Sequence, residues 1–297
     1  MPLPAYGLEA HGLRITLRAS RPLPHLGFHG SWARGVLGHA LFRAVCPHPE
    51  PRCAGCGLQG GCAWAQGFKP TVLPGCQRLP GYLVHRVYLD EGSPQAVVDL
   101  ILIGQMAREA GSWISGLIRF LPSLDLAGTG PGQLLQVSDL SSGAMLFSAG
   151  RLRSGASLTP LNPSPPRGEV LTLTLHNPLV TKHAGGDPLW PALRTRLQRL
   201  VNDFGNGQRL PQDLPWHVVA ASLHTVTIPR GTDTRRPITG LKGTLRLIDV
   251  TSSGRDLLAA GTLLHAGAEA VMGFGTFSWR EADADSPLSP QPPGTQS

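Results

Sequence analysis

Polar and apolar residues alternate over residues 8–20, which predicts a strand with Leu13, Ile15 and Leu17 on one face. A loop rich in Pro and Gly follows, and then a helical period over 31–45, which Ser31 is predicted to cap. Further along, these patterns predict strands at 81–90, 96–104, 134–140 and 144–150, and a helix at 105–121. With one short strand to spare, this is the βαββαβ order of a ferredoxin-like domain.

The same order of elements recurs in the second half of the chain. The patterns there predict strands at 169–180, 216–229, 238–250 and 271–280, and helices at 187–205 and 254–267. We therefore predict an α+β fold of two tandem ferredoxin-like domains, at 1–153 and 169–280, joined by a Pro/Ser/Gly-rich linker at 154–168. The tail at 281–297 is acidic and rich in Pro and Ser, and is predicted to be disordered.

The first predicted helix carries Gly35, Gly38 and His39 on the side opposite its apolar positions. A glycine inside a helix costs about 1 kcal/mol relative to alanine. Two glycines on this face therefore indicate that either another backbone or a ligand approaches the helix closely.

Four of the five cysteines follow this helix within a short segment that has few apolar residues for a core. Their spacing is C-x6-C-x2-C-x5-C, formed by Cys46, Cys53, Cys56 and Cys62. Thiolates at this spacing favour a structural zinc site, with a cubane iron–sulfur cluster and disulfides or free thiols as alternatives. We predict a metal-binding insertion at 46–76 that braces the end of the helix, with Cys76 as a packed thiol and His48 as a possible substitute ligand.

The chain has a net charge of +7 and a pI of about 9.6, which favours an anionic partner. The positive charge is nearly all arginine, which pairs with phosphate and stacks on bases and so suits RNA. A GC-rich genome would also explain the arginine bias, although not the net charge. The sequence shows neither a secretory signal nor a membrane-spanning run, so we expect a cytoplasmic protein with no membrane partner. With RNA as the expected partner, we expect no DNA substrate.

Two segments of the second half are candidates for contact with the RNA backbone. The hairpin segment RGTDTRR carries Arg235 and Arg236, with a solvated hairpin tip as the alternative interpretation. Gly273 and Gly275 would let a backbone approach phosphates closely, although a G-x-G also occurs in tight turns and bulges. Arg21, which follows the first strand, is the remaining candidate.

Metal-free RNA cleavage needs a base for the 2′-OH, an acid for the leaving 5′-oxygen and cations for the charged phosphorane. Histidine serves as base and acid near neutral pH. The candidates are His25 and His29 around the loop before the first helix, and His39 on its glycine face. Arg34 and Lys242 are the candidate cations. His224 and His265 are predicted to be core or surface residues.

Several segments resemble the CRISPR precursor-RNA processing endoribonucleases of the repeat-associated (RAMP) superfamily. In the second half these segments are HNPLV, LRTRLQRLVNDFG, RRPITGLKGTLRL, LLHAG and MGFGTF, in that order. GSWARGVLGHALFRAVC, followed by C-x2-C, resembles the members that carry a cysteine cluster. The resemblance covers both halves of the chain and leaves out the linker and the tail.

The resemblance implies a ferredoxin-like pair that binds CRISPR repeat RNA and cuts it without a catalytic metal, leaving a 2′,3′-cyclic phosphate and a 5′-hydroxyl. It also implies a catalytic histidine in or beside the first helix, which indicates His25, His29 or His39. This chain departs from the pattern in one place: relatives often have a Gly-Lys pair after the histidine of LLHAG, and this chain has Gly267, Ala268 and Glu269 there.

Two other functions remain open at this point. One is a non-catalytic RNA-binding RAMP subunit that holds guide RNA in a CRISPR effector complex. The other is a redox-sensing iron–sulfur protein. The first shares the fold and the charge with the endoribonuclease, and the second depends on the cysteine cluster alone.

Overall fold

The computed structural model describes residues 3–24, 28–69, 79–90, 92–153, 158–182, 186–230 and 233–282, without the side chains of 4, 230 and 233–236. The chain divides into two compact units, one of residues 9–161 and the other of 3–8 together with 162–282. The predicted bounds at 1–153, 154–168 and 169–280 stay predictions.

The first unit is built on an antiparallel sheet with the strand order β2-β3-β1-β4-β5-β6. Its strands are β1 Ala10–Ala19, β2 Tyr82–Leu89, β3 Gln95–Ile103, β4 Gly132–Asp139, β5 Met145–Ser148 and β6 Arg151–Leu152. Leu13, Ile15 and Leu17 are almost fully buried, as the alternation predicted. Since side chains alternate across a strand, the residues between them lie on the opposite face of the sheet.

Helices cover one face of this sheet. They are α1 His29–Val45, α2 Ala63–Phe68 and α3 Ala110–Phe120, and a 3₁₀ helix at Gly104–Glu109 precedes α3. Helices α1 and α3 come close together, because a Cβ at Gly116 would lie 2.6 Å from the carbonyl oxygen of Ala40. The prediction that Ser31 caps α1 is wrong, since the helix begins at His29 and its N-cap residue Phe28 makes no side-chain cap.

The second unit repeats the arrangement in the order β10-β7-β9-β8. Its elements are β7 Leu171–Leu179, α4 Leu189–Phe204, β8 His217–Arg230, β9 Asp233–Ile248, α5 Ser252–Leu264 and β10 Phe277–Glu281. In both units the first long strand lies between the third and the fourth. The prediction of an α+β chain with two antiparallel sheets is confirmed, and the shared strand order is consistent with two ferredoxin-like domains.

The first described residues belong to the second unit. Leu3, Tyr6 and Leu8 are buried. The amide of Asn206 donates to the carbonyl oxygen of Tyr6, and its side-chain amide donates to that of Ala5. This short segment therefore docks where α4 ends.

No helix among the described residues is long and apolar enough to cross a membrane.

Candidate functional site

The predicted acid and base residues lie at different levels of α1. His29 is its first residue and is partly buried, whereas His39 is exposed and meets Phe42 edge-on, with ring centroids 6.5 Å apart. Ten residues of helix separate the two histidines by about 15 Å along the axis. A base and an acid that share one phosphate must each lie within about 3 Å of an oxygen they serve. The spacing along the helix is therefore too large for both rings to serve one phosphate, and a catalytic role for either histidine stays a prediction.

Arg34 lies between these histidines and is partly buried against aromatic rings. Its guanidinium carbon is 5.2 Å from the centroid of the Phe68 ring. Burial raises the pKa of Tyr82 well above its ordinary value, and the nearby Arg34 guanidinium opposes that rise. Arg34 thus joins α1, α2 and β2, and its role as a cation for the RNA stays a prediction.

The glycine face of α1 is partly covered by protein. Gly38 is buried, and a Cβ there would overlap the ring of Phe68. Gly35 is exposed, and no heavy atom lies within 4 Å of a Cβ built on it. The close approach that the sequence predicted is made at Gly38 by a side chain of α2, rather than by another backbone or a ligand.

The remaining predicted residues are spread over both units. His25 lies outside the described residues, as do the side chains of Arg235 and Arg236. Arg21 is exposed just after the end of β1. Lys242 lies on β9 directly opposite His224 of β8, and this histidine is exposed. The sequence predicts His224 only as a core or surface residue, because its neighbour on the adjacent strand cannot be identified without the register.

The glycine-rich end forms a folded turn and not the start of a strand, so the strand predicted at 271–280 begins only at Phe277. Both glycines are buried with positive φ, 90° at Gly273 and 68° at Gly275. The amide of Gly273 donates to Ala270, and that of Gly275 donates to Pro178. Because both amides are already used, phosphate contact through them would require the turn to open, and the predicted RNA contact stays a prediction.

The four clustered cysteines line one pocket together with His48 and Trp64. The Sγ atom of Cys56 is 3.9 Å from Nε2 of His48, and the amide of Cys56 donates to the carbonyl oxygen of Cys53. Burial raises the pKa of Cys53, and the other three thiols of the cluster add to the rise. The donor set therefore suits a soft divalent cation.

The side chains in this pocket are not arranged as a finished metal site. Across the described ranges, no group of three or more His, Cys, Asp or Glu side chains could hold a metal ion in its present positions. The pocket lies beside α1, because Trp64 of α2 packs on Phe42 with ring centroids 5.2 Å apart. Zinc binding and the metal-binding insertion stay predictions.

Comparison with known proteins gives one family match and one relative. The family model described as the AF_1859 N-terminal domain matches residues 8–152. An uncharacterized protein of Archaeoglobus fulgidus is 24% identical over 294 residues, covering 90% of this chain and 97% of its own length. This relative spans both units.

The solved structures that resemble this chain include Cas6 proteins. A product complex of Thermus thermophilus Cas6 has a TM-score of 0.55 at 14% identity, over 91% of this chain and 100% of that one. A partial Cas6-RT-Cas1–Cas2 complex also gives a TM-score of 0.55 at 14% identity, over 96% of this chain. The match covers 48% of that chain, so our chain spans about half of its length. The chain thus shares its fold with Cas6 proteins.

Proposed function

We propose that this chain is a metal-independent endoribonuclease that binds CRISPR repeat RNA and processes precursor crRNA. The shared fold with the Cas6 product complex, over 91% of the chain, is the observation that carries the proposal. The net charge of +7 supports it, since an RNA substrate presents one negative charge per phosphate. The segments of the RAMP resemblance lie in both units.

The proposed reaction is an attack of the 2′-OH on the neighbouring phosphate, which breaks the bond to the 5′-oxygen. The products are a 2′,3′-cyclic phosphate and a 5′-hydroxyl. His39, exposed on α1, takes the 2′-OH proton or supplies one to the leaving oxygen. Arg34 and Lys242 are the proposed cations for the phosphorane, and Arg21, Arg235 and Arg236 are proposed to hold the RNA backbone.

The test is incubation of the full chain with repeat RNA in EDTA, followed by analysis of the product ends. His39→Ala should slow cleavage by a factor of about 10² to 10⁴, the range for loss of a general acid or base, while RNA affinity changes little. The matched control is His217→Ala, which removes an exposed histidine from β8. If His29→Ala abolishes the cut and His39→Ala does not, the other end of α1 carries the reaction. Activity that requires added Mg²⁺ would contradict the mechanism.

A non-catalytic RNA-binding subunit of a CRISPR effector complex is the second candidate. Two features favour it: the Arg34 guanidinium already lies over the Phe68 ring, and the chain has Gly267, Ala268 and Glu269 where the family it resembles often has a Gly-Lys pair. Tight binding of repeat RNA without cleavage in any buffer would support this candidate over the endoribonuclease.

We also propose that the pocket of Cys46, Cys53, Cys56 and Cys62 holds a structural zinc ion, with an iron–sulfur cluster as the alternative. The four thiols share one pocket, and the turn from Cys53 to Cys56 has the C-x2-C form. Because α2 follows Cys62 directly and packs on α1 through Trp64, the metal would fix the end of α1.

The zinc proposal is tested by metal analysis and by unfolding. Purified chain should be colourless and contain about one zinc per molecule, and Cys53→Ser or prolonged chelation should lower the melting temperature. A brief EDTA treatment that leaves the zinc bound should not affect cleavage. A brown protein that contains iron would instead support the cluster, and a chain free of metal at full stability would exclude both.

A further inference from the structure

The sheet of the first unit has a polar face, on the side opposite the apolar face that carries Leu13, Ile15 and Leu17. We call it the polar sheet face and define it by Arg14, Thr16, Arg18, Val97, Arg86 and Tyr88. The strand register places these residues side by side: Thr16 opposes Val97, which opposes Tyr88 on its other side. In the next row, Arg14 and Arg86 both oppose Asp99.

The charge of this face is positive. Arg18 and Arg86 are exposed, and the side chain of Arg14 is 46% exposed. Asp99 is buried and accepts hydrogen bonds from Nε and Nη2 of Arg14 at 2.8 and 2.9 Å. That pair neutralises itself, so Arg18 and Arg86 leave a net positive surface that complements a polyanion.

Tyr88 provides an aromatic surface among these charges. The guanidinium carbon of Arg14 is 5.8 Å from its ring centroid, and Nη1 of Arg86 donates to its hydroxyl at 3.4 Å. The ring is only partly buried, and its neighbours in the same row, Val97 and Thr16, are small. A planar base that stacks on the ring would share it with the Arg14 guanidinium, which can itself stack on a base.

We propose that the polar sheet face binds single-stranded RNA, with a base stacked on Tyr88 and phosphates paired with Arg18 and Arg86. Aromatic rings on a four-stranded sheet bind unstacked bases in this way, and arginines that follow the backbone add affinity without sequence preference. A helical duplex keeps its bases stacked and offers none to the ring. The proposal rests on the proposed function, because the single-stranded RNA would be the unpaired flank of the CRISPR repeat.

The test measures binding of a short, unstructured, fluorescent RNA to the full chain. Tyr88→Ala should weaken binding by about 5- to 100-fold, whereas Tyr88→Phe, which keeps the ring, should bind nearly as the natural chain does. Arg14 is left unchanged, because its loss would leave Asp99 buried and unpaired.

The charge contribution has a matched control. Arg18→Ala should weaken binding and reduce the salt dependence of log K by about 0.7, the value for one phosphate contact on a single strand. Arg119→Ala removes the same charge from an exposed position on α3 and should change neither quantity. If Tyr88→Ala does not fold, RNA binding by Arg18→Glu tests the proposal instead. Equal effects at Arg18 and Arg119, or unchanged binding in Tyr88→Ala, would overturn the proposal.

Cleavage of a repeat hairpin without flanks separates this inference from the proposed function. The face variants should cut that hairpin at the natural rate and lose only the advantage that an unpaired flank gives. If the chain cuts but Tyr88→Ala binds single strands normally, the face has no such role while the endoribonuclease stands. If the chain never cuts but Tyr88→Ala loses single-strand binding, the face binds RNA in a protein that is not a nuclease.

Discussion

Among single residues, Asp139 shows how a buried carboxylate is kept charged at the end of β4. Burial alone would raise its pKa, but hydrogen bonds from Ser142 and Thr159 outweigh burial and hold the pKa below its ordinary value. The Ser142 hydroxyl donates to Oδ2 at 2.6 Å and the Thr159 amide donates at 3.1 Å. The carboxylate thereby ties the turn after β4 to the segment that ends the first unit.

This arrangement predicts a pH-dependent stability. Because the folded-state pKa is lower than the unfolded one, the stabilisation is fully present above the ordinary Asp pKa of about 4 and is lost as the pH falls through the folded value. Asp139→Asn should therefore melt below the natural chain at pH 7, and the difference should shrink in acid. Asp90→Asn, on an exposed turn, is the control. If the difference in melting temperature stays constant down to acid pH, the variant is destabilised by altered packing and not by loss of the carboxylate charge.

The candidate residues could be predicted from sequence only as residue types on a helix or strand. His39 on α1 follows from the helical period, whereas His29 was predicted in the loop before the helix and is the first residue of α1 in the structure. What the sequence could not show is the cross-strand partner, because it depends on register. The pairing of β8 with β9 places His224 opposite Lys242, and the pairing of β1 with β3 places Arg14 opposite Asp99.

At the scale of elements, the two glycines of α1 have opposite consequences for stability. Gly35→Ala should raise the free energy of unfolding by about 0.5 to 1 kcal/mol, since the added methyl meets open space and alanine is the better helix former. Gly38→Ala should lower it by about 1 to 3 kcal/mol, because the methyl overlaps the Phe68 ring. Urea unfolding of the two variants beside the natural chain measures both, and a gain in stability at Gly38 would contradict the packing of α2 on α1.

The elements with a clear period were predictable, and those built by packing or unusual dihedrals were not. Strand β1 and helices α1 and α4 follow their apolar patterns closely. Helix α2 escaped prediction because its six residues, AWAQGF, are too few to show a period. The strand predicted at 271–280 is present only from Phe277, because positive φ at Gly273 and Gly275 is incompatible with a strand before that residue.

For the whole molecule, the repeated order of strands and helices was enough to predict two antiparallel sheets. Element order constrains topology strongly when connections are short and do not cross. The order of elements did not predict that residues 3–8 belong to the second unit, although the next element in sequence, β1, belongs to the first. Such a contact joins distant parts of the chain, and no local pattern encodes it.

The segment at residues 3–8 also constrains the order in which the second unit can fold during synthesis. A chain made on the ribosome completes residues 9–161 first, and this unit contains its own sheet and helices. Leu3, Tyr6 and Leu8 cannot make their native contacts in the second unit until Asn206 and the end of α4 have been made. The second unit therefore needs residues that are made before the whole of the first unit to close its own core.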